Sequence, residues 1–325
     1  MLASAWRPTA SFENLRLRSN LLQAIRQFFQ ARGVVEVETP ACSAAAVSDP
    51  ALDSLSTIFT GPGAASGKRL YLHTSPEFAM KRLLAAGSGP IYQICKVFRD
   101  GEGGRYHNPE FTLLEWYRPG YDHHQLMDEL TELVRYLFAK PIDVRRLSYG
   151  ALFLERLGID PHGASGTALR SHAIAAGVAG AEQLELEDAD GWLDLLMTHC
   201  IEPNMGPGMV LVYDYPASQA SLARIRPGPR PLAERFELYL DGVELANGFH
   251  ELTDAAEQRR RFGFDLERRR RQNRPEPPLD EHLLAALEAG LPDCSGVALG
   301  IDRLLMCMAG ADHIEQVLAF PIDRA

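Results

Sequence analysis

The stretch from Val97 to Tyr117 constrains the fold more than any other part of this 325-residue sequence. It reads V-F-R-D-G-E-G-G-R-Y-H-N-P-E-F-T-L-L-E-W-Y, with strand-like segments at both ends and a polar, glycine-rich centre. This pattern predicts two antiparallel strands joined by a loop. Arg99 lies at the end of the first strand, where a guanidinium can hold a phosphate while the loop folds over a base.

A second hairpin is predicted around Asp241-Gly242, which separates two segments that alternate between apolar and polar residues. A two-residue turn there pairs Tyr239 with Glu244 and sets Glu237 on the same face as Glu244, about 7–8 Å away. Two such carboxylates repel each other unless a cation lies between them, and Mg²⁺ carrying nucleotide phosphates suits them. The alternative is a pair of surface carboxylates.

Strict alternation along this second hairpin would place Glu244 and Asn247 on opposite faces. If both residues serve one site, the strand needs an irregularity, and we expect a bulge or a strand end near Gly248.

The third informative stretch is 295–305, S-G-V-A-L-G-I-D-R-L-L. It predicts a glycine-containing strand that runs into a helix headed by Arg303.

The remaining elements are ordinary in pattern. Apolar residues at helical spacing predict a helix from about Ser11 to Ala31, ended by Gly33 and followed by a strand around Val35 and Val37; the apolar residues are Leu21, Leu22, Ile25, Phe28 and Phe29. Segment 61–69 is predicted to be a surface loop rather than a P-loop, because an arginine stands where a hydroxyl would bind magnesium. A strand is expected over 70–73, a helix over 75–86 and a mostly helical insertion over 121–200.

Two polar clusters are interpreted as solvated surface. His123-His124 has no partner at metal-ligand spacing. The arginines at 259–261 and 268–271 lie in a helical segment with acidic residues and suggest a solvated helix face, with docking of an acidic macromolecule as the alternative.

These stretches together resemble the three motifs of class II aminoacyl-tRNA synthetases. Within them, H-N-P-E-F-T followed by E-x-Y, and E-x-x-N-G-F-x-E ending at Glu251, are typical of the lysine branch. The resemblance implies an α+β fold with an antiparallel β-sheet flanked by helices, one catalytic domain over 1–325, and a homodimer formed through the N-terminal helix and strand.

The resemblance also implies the site residues. Glu251 would pair with the side-chain ammonium of the amino acid, which needs carboxylate partners once it is buried, and Phe249 would flank the aliphatic stem. The residues implied for the amino acid are Ser75, Glu77, Glu115, Tyr117, Asn247, Phe249, Glu251, Ala298 and Gly300. Those implied for ATP are Arg99, Asp100, Glu102, His107, Asn108, Phe111, Glu244, Leu245 and Arg303. Arg99 and Arg303 would be the catalytic arginines on the α- and γ-phosphates, and Glu237 and Glu244 the Mg²⁺ ligands.

Three departures from the lysine synthetases point in one direction. The match begins almost at residue 11, so an N-terminal anticodon-binding domain is not expected, and Ala298 replaces the middle glycine of the third motif. Segments 216–223, 244–254 and 293–300 resemble a paralogous family that ligates (R)-β-lysine to elongation factor P. That resemblance implies activation of β-lysine or lysine by ATP as an acyl-adenylate, with transfer to a lysine ε-amine of elongation factor P. The alternatives are a truncated lysyl-tRNA synthetase and a non-catalytic binding protein.

One motif position differs from the lysine enzymes. Gly101 stands where a glutamate contacts the adenine amino group, so Glu102 or a backbone carbonyl would have to make this contact.

The composition limits partners and compartment. A formal net charge of −10 gives no general affinity for polyanions, so tRNA is not an expected partner. The five cysteines are scattered without a C-x-x-C pair, which favours reduced thiols over zinc or disulfides. The sequence has no apolar run of membrane-spanning length and no signal-peptide core, so we expect a cytoplasmic protein with no membrane partner.

Overall fold

The computed structural model describes residues 6–186 and 188–325. Residues 1–5 and position 187, which the sequence predictions include in the catalytic domain and the helical insertion, lie outside the described residues. The chain divides into two compact units, Met1–Ala139 with Glu251–Ala325, and Lys140–His250. The single domain over 1–325 stays a prediction.

The secondary structure is mixed, as the sequence predicts. The helices are α1 (Phe12–Gln30), α2 (Glu77–Ala85), α3 (His123–Phe138), α4 (Tyr149–Leu157), α5 (Gly166–Ala175), α6 (Ala189–Leu196), α7 (Ala255–Arg271), α8 (Glu281–Gly290) and α9 (Ile301–Ala309). The strands are β1 (Val35–Glu36), β2 (Cys42–Ser43), β3 (Ser56–Phe59), β4 (Lys68–Leu72), β5 (Ile91–Phe98), β6 (Glu110–Pro119), β7 (Val144–Ser148), β8 (Met209–Pro216), β9 (Ile225–Arg226), β10 (Leu232–Leu240), β11 (Val243–His250) and β12 (Cys294–Gly300). None of the helices within 6–186 and 188–325 is long and apolar enough to cross a membrane.

The first unit is built around the strands β1, β5, β6 and β12. The pairs β5–β6 and β6–β12 are antiparallel, and β1 joins β5 in parallel. A second small antiparallel sheet has the order β2-β4-β3. The fold class is therefore the predicted one, α+β with a mainly antiparallel sheet and flanking helices.

The second unit has its own antiparallel core. Strand β10 lies between β8 and β11 and also pairs with β9, while β7 joins β8 in parallel. Helices α4, α5 and α6 bury an apolar cluster against this sheet, in which Tyr149 stacks on Phe153 with ring centroids 4.5 Å apart. A π-helical segment, Met197–Ile201, continues α6.

Helix α1 confirms the N-terminal prediction. The Ser11 hydroxyl accepts a hydrogen bond from the amide of Asn14 at 3.1 Å and so caps the helix start. Four of the five predicted apolar residues are buried, and Leu22 is half-buried. Gly33 has φ +66°, the left-handed geometry that ends a helix.

Two predicted boundaries need correction. The strand expected over 70–73 runs from Lys68 to Leu72, because Lys68 and Arg69 pair with Phe59 and Ile58 of β3. The predicted surface loop therefore ends before Lys68. The pairing partners of Lys68 and Arg69 are nine and eleven residues away in sequence, and the local pattern does not reveal them.

His123 corrects the interpretation of a solvated histidine pair. It is buried, and its ring lies 4.2 Å from the ring of His124. Asp122 caps α3, so His123 is its first residue and falls on the apolar stripe that continues through Leu126, Met127 and Leu130.

Arg269 corrects the interpretation of the arginine cluster. Arg259, Arg260 and Arg270 are exposed and paired with carboxylates, as a solvated helix face requires. Arg269 is buried instead, and its guanidinium donates to the carbonyl oxygens of Ser48 (2.8 Å) and Asp49 (2.7 Å). The periodicity of the helix does not predict this contact, because Ser48 and Asp49 lie in a distant part of the sequence.

The turn between β10 and β11 provides a stability prediction. Asp241 and Gly242 have φ values of +51° and +80°, as a two-residue hairpin turn requires. A Cβ atom on residue 242 would lie 2.7 Å from the carbonyl oxygen of Glu202. We expect Gly242→Ala to lower the free energy of unfolding by about 1–3 kcal/mol in urea denaturation.

Gly263→Ala is the matched control for this turn. Its Cβ atom would meet no atom within 4 Å in helix α7. That substitution should raise stability by about 0.5–1 kcal/mol. Equal effects of the two substitutions would contradict the steric argument.

Candidate active site

One face of the β6–β12 pair carries four of the residues that the sequence predicts for the amino acid, together with Gly296. The register sets Gly296 opposite Tyr117 and Ala298 opposite Glu115. Side chains directly opposite in an antiparallel pair point to the same face, and residues two apart in a strand share that face. Glu115, Tyr117, Gly296, Ala298 and Gly300 therefore line one surface.

Glu115 is the centre of a hydrogen-bond network on this face. Its two carboxylate oxygens accept from the Ser75 hydroxyl and the Tyr117 hydroxyl, both at 2.7 Å. The Ser75 hydroxyl in turn accepts from the amide of Glu77 at 2.9 Å, at the start of α2. Burial, helped by the charge of Glu77, raises the pKa of Glu115 to about 7.

Lys81 contacts two of the predicted site residues, and the sequence predictions did not name it. Its side chain is 2% exposed, and its ammonium lies 2.6 Å from Glu77 and 2.5 Å from Glu251. Burial opposes its charge, but the carboxylates of Glu251 and Glu77 hold the pKa of Lys81 above its ordinary value. The available signal was the four-residue spacing from Glu77, which places both side chains on one face of a helix.

Glu251 stands apart from ordinary surface carboxylates. It is 1% exposed, and its amide donates to the carbonyl oxygen of Cys294 at 3.0 Å, which ties it to β12. Burial raises the pKa of Glu251 to about 8, against the opposing pull of Lys81. The group can therefore exchange a proton near neutral pH.

Gly296 is a second residue next to the predicted site residues that the sequence predictions did not name. A Cβ atom at this position would lie 2.3 Å from the Tyr117 ring and 2.6 Å from the Glu251 carboxylate. Only glycine leaves both groups where they are. The signal in the sequence was the first glycine of S-G-V-A-L-G.

We expect Gly296→Ala to reduce amino-acid-dependent activation by at least about tenfold, because overpacking displaces Tyr117 and Glu251. Amino-acid-dependent exchange of pyrophosphate into ATP measures this effect. Gly103→Ala is the control, since its Cβ atom would meet nothing within 4 Å. An unchanged rate for the Gly296 variant would contradict the packing argument.

Two arginines converge on the loop between β5 and β6. Arg303, in the first turn of α9, lies 2.7 Å from His107, and Arg99 lies over the Phe111 ring at 5.0 Å. Burial and the charge of Arg303 lower the pKa of His107, which favours its neutral form. Two guanidinium groups near one neutral imidazole form a candidate binding site for an anion with several charged oxygens.

The structure also shows the contacts of three other residues of this loop that the sequence predicts for ATP. Glu102 faces Arg99 at 3.5 Å, and Asn108 donates to the carbonyl oxygen of Glu110 at 2.6 Å. Asp100 is exposed, and its amide donates to the carbonyl oxygen of Asp53 at 2.8 Å. Asn108 thus shapes the loop, and Asp100 anchors its beginning.

The hairpin of the second unit contains the expected bulge, but at another residue. The register pairs Glu237 with Asn247 and Tyr239 with Glu244, so Leu245 is the extra residue. The prediction of an irregularity is confirmed, and its place near Gly248 is wrong. Because the strand shifts by one residue at Leu245, Glu244 and Asn247 share a face with Glu237.

Glu237 is held by three donors. Arg235 pairs with one carboxylate oxygen, and the hydroxyls of Tyr215 and Tyr239 donate to the other at 2.6 and 2.5 Å. A carboxylate has about four lone-pair sites, so the contacts described leave one for a cation. With Glu244 on the same face, this donor set fits Mg²⁺, which takes one or two carboxylates and completes its shell from substrate and water.

The remaining predicted residues of this hairpin lie nearby. The Arg235 guanidinium donates to the Asn247 amide oxygen at 3.3 Å, and Phe249 pairs with Arg235 in the register. Leu245 is buried at the bulge. Each of these residues belongs to the second unit.

Comparison with known proteins identifies the family. Residues 3–324 match the family model of class II tRNA synthetases (D, K and N). The chain is 52% identical to the elongation factor P–(R)-β-lysine ligase of Edwardsiella ictaluri, over 99% of each chain. It is 53% identical to proteins of the same name from Vibrio parahaemolyticus, over 98% of this chain and 99% of the relative, and Vibrio cholerae, over the whole of both. The chain therefore belongs to the class II tRNA synthetase family and, within it, to the group of elongation factor P–(R)-β-lysine ligases.

Proposed function

We propose that this chain activates (R)-β-lysine, or lysine, with ATP and transfers it to the ε-amine of a lysine on elongation factor P. The names of its relatives support elongation factor P as the acceptor and (R)-β-lysine as the amino acid. The observation that carries the chemistry is the carboxylate cluster of half-buried Glu77 with buried Glu115 and Glu251. The same protein places two arginines, Arg99 and Arg303, beside the glycine-rich loop.

The carboxylate cluster supports a cationic amino acid as the substrate. Glu115 and Glu251 are almost fully buried, and buried carboxylates are costly without positive partners. An amino acid that brings two ammonium groups would supply such partners and form charge-assisted hydrogen bonds. From the family resemblance alone, we assign Asn247 and Phe249 to the same substrate.

The two arginines support a nucleoside triphosphate as the second substrate. In the proposed first step, Arg99 holds the α-phosphate and Arg303 the γ-phosphate, so the negative charge that develops during attack meets fixed positive charge. The amino-acid carboxylate attacks the α-phosphorus, the bond to the bridging oxygen breaks, and pyrophosphate leaves. The protein contributes orientation and charge neutralisation rather than covalent chemistry.

Glu237 and Glu244 would hold Mg²⁺, which would neutralise charge on the phosphates when bound. Arg235 keeps the Glu237 carboxylate in place through its ion pair, and Tyr215 and Tyr239 fix the second oxygen. These contacts preorganise the ligand before any ion arrives.

In the proposed second step, the acceptor ε-amine attacks the carbonyl carbon of the adenylate, an amide bond forms and AMP leaves. The amine loses a proton in this step, and the AMP phosphate can accept it. The product is an amide on a protein rather than an ester on tRNA.

We also propose a homodimer formed through α1 and β1. The exposed apolar side chains of Phe12 (71%) and Val35 (54%) lie on these two elements and support the proposal. Sedimentation equilibrium of the wild type and of Val35→Glu tests it, because a buried charge should dissociate the dimer. A wild type that sediments as a monomer would overturn it.

The decisive experiment for the function is a competition assay. Purified protein, ATP and Mg²⁺ are supplied with labelled (R)-β-lysine or L-lysine, total tRNA and unmodified elongation factor P. We expect label on the protein factor, with more from β-lysine. Label on tRNA would overturn the acceptor, and absence of pyrophosphate exchange with either amino acid would overturn the activation step.

Paired arginine variants make this assay specific. Arg99→Met should abolish most exchange, whereas Arg105→Met in the same loop should not. Arg105 is exposed and faces Asp312 at 3.7 Å, away from the convergence on His107. Equal loss in both variants would point to a general effect on the loop.

A further inference from the structure

Lys81 is the buried cation of the carboxylate cluster. It lies on α2, one turn after Glu77, and its ammonium touches one oxygen of Glu77 and one of Glu251. A lysine that is 2% exposed is normally destabilising, and it is tolerated only where carboxylates surround it. A surface lysine would make the helix pair with Glu77 without that cost.

Lys81 contacts one oxygen of each of two carboxylates. Lys81 contacts Oε1 of Glu77 and Oε2 of Glu251. The other Glu251 oxygen, Oε1, lies beside Gly296, on the face that Tyr117 lines. Glu115 is held by Ser75 and Tyr117 instead of by Lys81. Lys81 thus holds two of the three carboxylates, each through one oxygen.

The groups that face this cluster allow its charge to be counted. The ionisable groups of the cluster come from five parts of the fold. They are Glu77 and Lys81 of α2, Cys95 of β5, Glu115 and Tyr117 of β6, Glu251 just after β11, and Cys294 of β12. Asp293 lies at the exposed edge near Cys294. Burial raises the pKa of Tyr117 and of both thiols, so these groups stay neutral. The inner ionisable groups are therefore three carboxyls and one amine, which carry two net negative charges when all four are ionised.

We propose that Lys81 is a positioning residue of the amino-acid pocket, an internal counter-ion that aligns Glu77 and Glu251. With all three carboxyls ionised in the substrate complex, the cluster then leaves two net negative charges for a substrate with two ammonium groups. This inference rests on the proposed function. Without Lys81, three carboxylates would face one another, and the like charges would favour proton uptake. A protonated Glu251 would no longer attract an ammonium.

The test is calorimetric binding of L-lysine between pH 6 and 9, alongside norleucine, which has one ammonium. The variants are Lys81→Met, Lys81→Gln and Lys81→Arg. Lys96→Met on β5 is the control, because Lys96 is half exposed and pairs with Glu110 at 3.2 Å. Lys81→Gln keeps hydrogen-bond donors without charge and serves where the Met variant does not fold.

We expect Lys81→Met and Lys81→Gln to weaken lysine binding at pH 7 by at least about tenfold and to move the midpoint of its pH dependence up by about one unit or more. Lys81→Arg should restore the midpoint, and Lys96→Met should bind within about twofold of the wild type. Norleucine should bind the wild type more weakly than lysine and change less among the variants.

Unchanged affinity and midpoint in the Met and Gln variants, even with lower thermal stability, would overturn the inference and leave Lys81 a structural residue. Pyrophosphate exchange by the wild type separates this outcome from failure of the proposed function. If the wild type catalyses lysine-dependent pyrophosphate exchange but the Lys81 variants bind lysine normally, only the inference about Lys81 fails. If the wild type neither binds nor supports pyrophosphate exchange with lysine or (R)-β-lysine, the proposed function fails, and the charge match fails with it.

Discussion

Glu251→Gln is expected to lower amino-acid-dependent pyrophosphate exchange by at least about 100-fold, because loss of a buried charged partner costs about 2–5 kcal/mol. The amide keeps the size of the side chain but removes the charge that would pair with the ammonium of the substrate. The effect should fall on the KM for the amino acid and spare the KM for ATP. Normal activation by this variant would refute the pocket assignment.

The same substitution should leave the fold intact. The backbone amide of residue 251 still donates to the carbonyl oxygen of Cys294, and Lys81 keeps Glu77 as a partner. Glu110→Gln is the matched control on β6, since Glu110 is half exposed and pairs only with Lys96 at 3.2 Å among its described ion pairs. Circular dichroism and thermal denaturation of both variants show whether loss of activity reflects loss of structure.

Asp302→Ala is expected to have the largest effect on stability, a loss of about 3–5 kcal/mol, because it leaves a largely buried guanidinium without its carboxylate. Asp302 is 1% exposed and pairs with Arg18 of α1, while its other oxygen accepts from the amide of Thr112 at 2.6 Å. One carboxylate therefore joins α1, β6 and α9.

Urea denaturation of Asp302→Ala and Asp312→Ala measures this contribution. The Asp312 side chain is 89% exposed and lies 3.7 Å from Arg105, so its removal should cost about 0–1 kcal/mol. Similar midpoints for the two variants would show that the Asp302 network contributes little. Activity is compared only at urea concentrations where both variants are folded.

The local elements of this protein follow from its sequence. Alternation of apolar and polar residues produces the two hairpins, and Asp241-Gly242 adopts the left-handed turn that closes one of them. The glycine-containing strand leads into α9 with Arg303 in its first turn, as the pattern predicts. These features depend on segments that are adjacent in sequence and on turns whose geometry is limited by backbone sterics.

Contacts between distant segments decided the rest. The sequence required an irregularity between Glu244 and Asn247, but the pairing of β10 with β11 placed it at Leu245. Arg269 looks like a surface residue of its helix, yet a segment more than 200 residues earlier buries it.

The composition of the pocket shows the same division. The sequence by itself determined that carboxylates occur at 77, 115 and 251, in motifs typical of a lysine-activating family. Only the tertiary structure brought Lys81 between two of them and set Gly296 against Tyr117 and Glu251. Periodicity specifies which face a residue occupies, whereas the charge of a buried cluster depends on which faces meet, and that is fixed by packing across the whole chain.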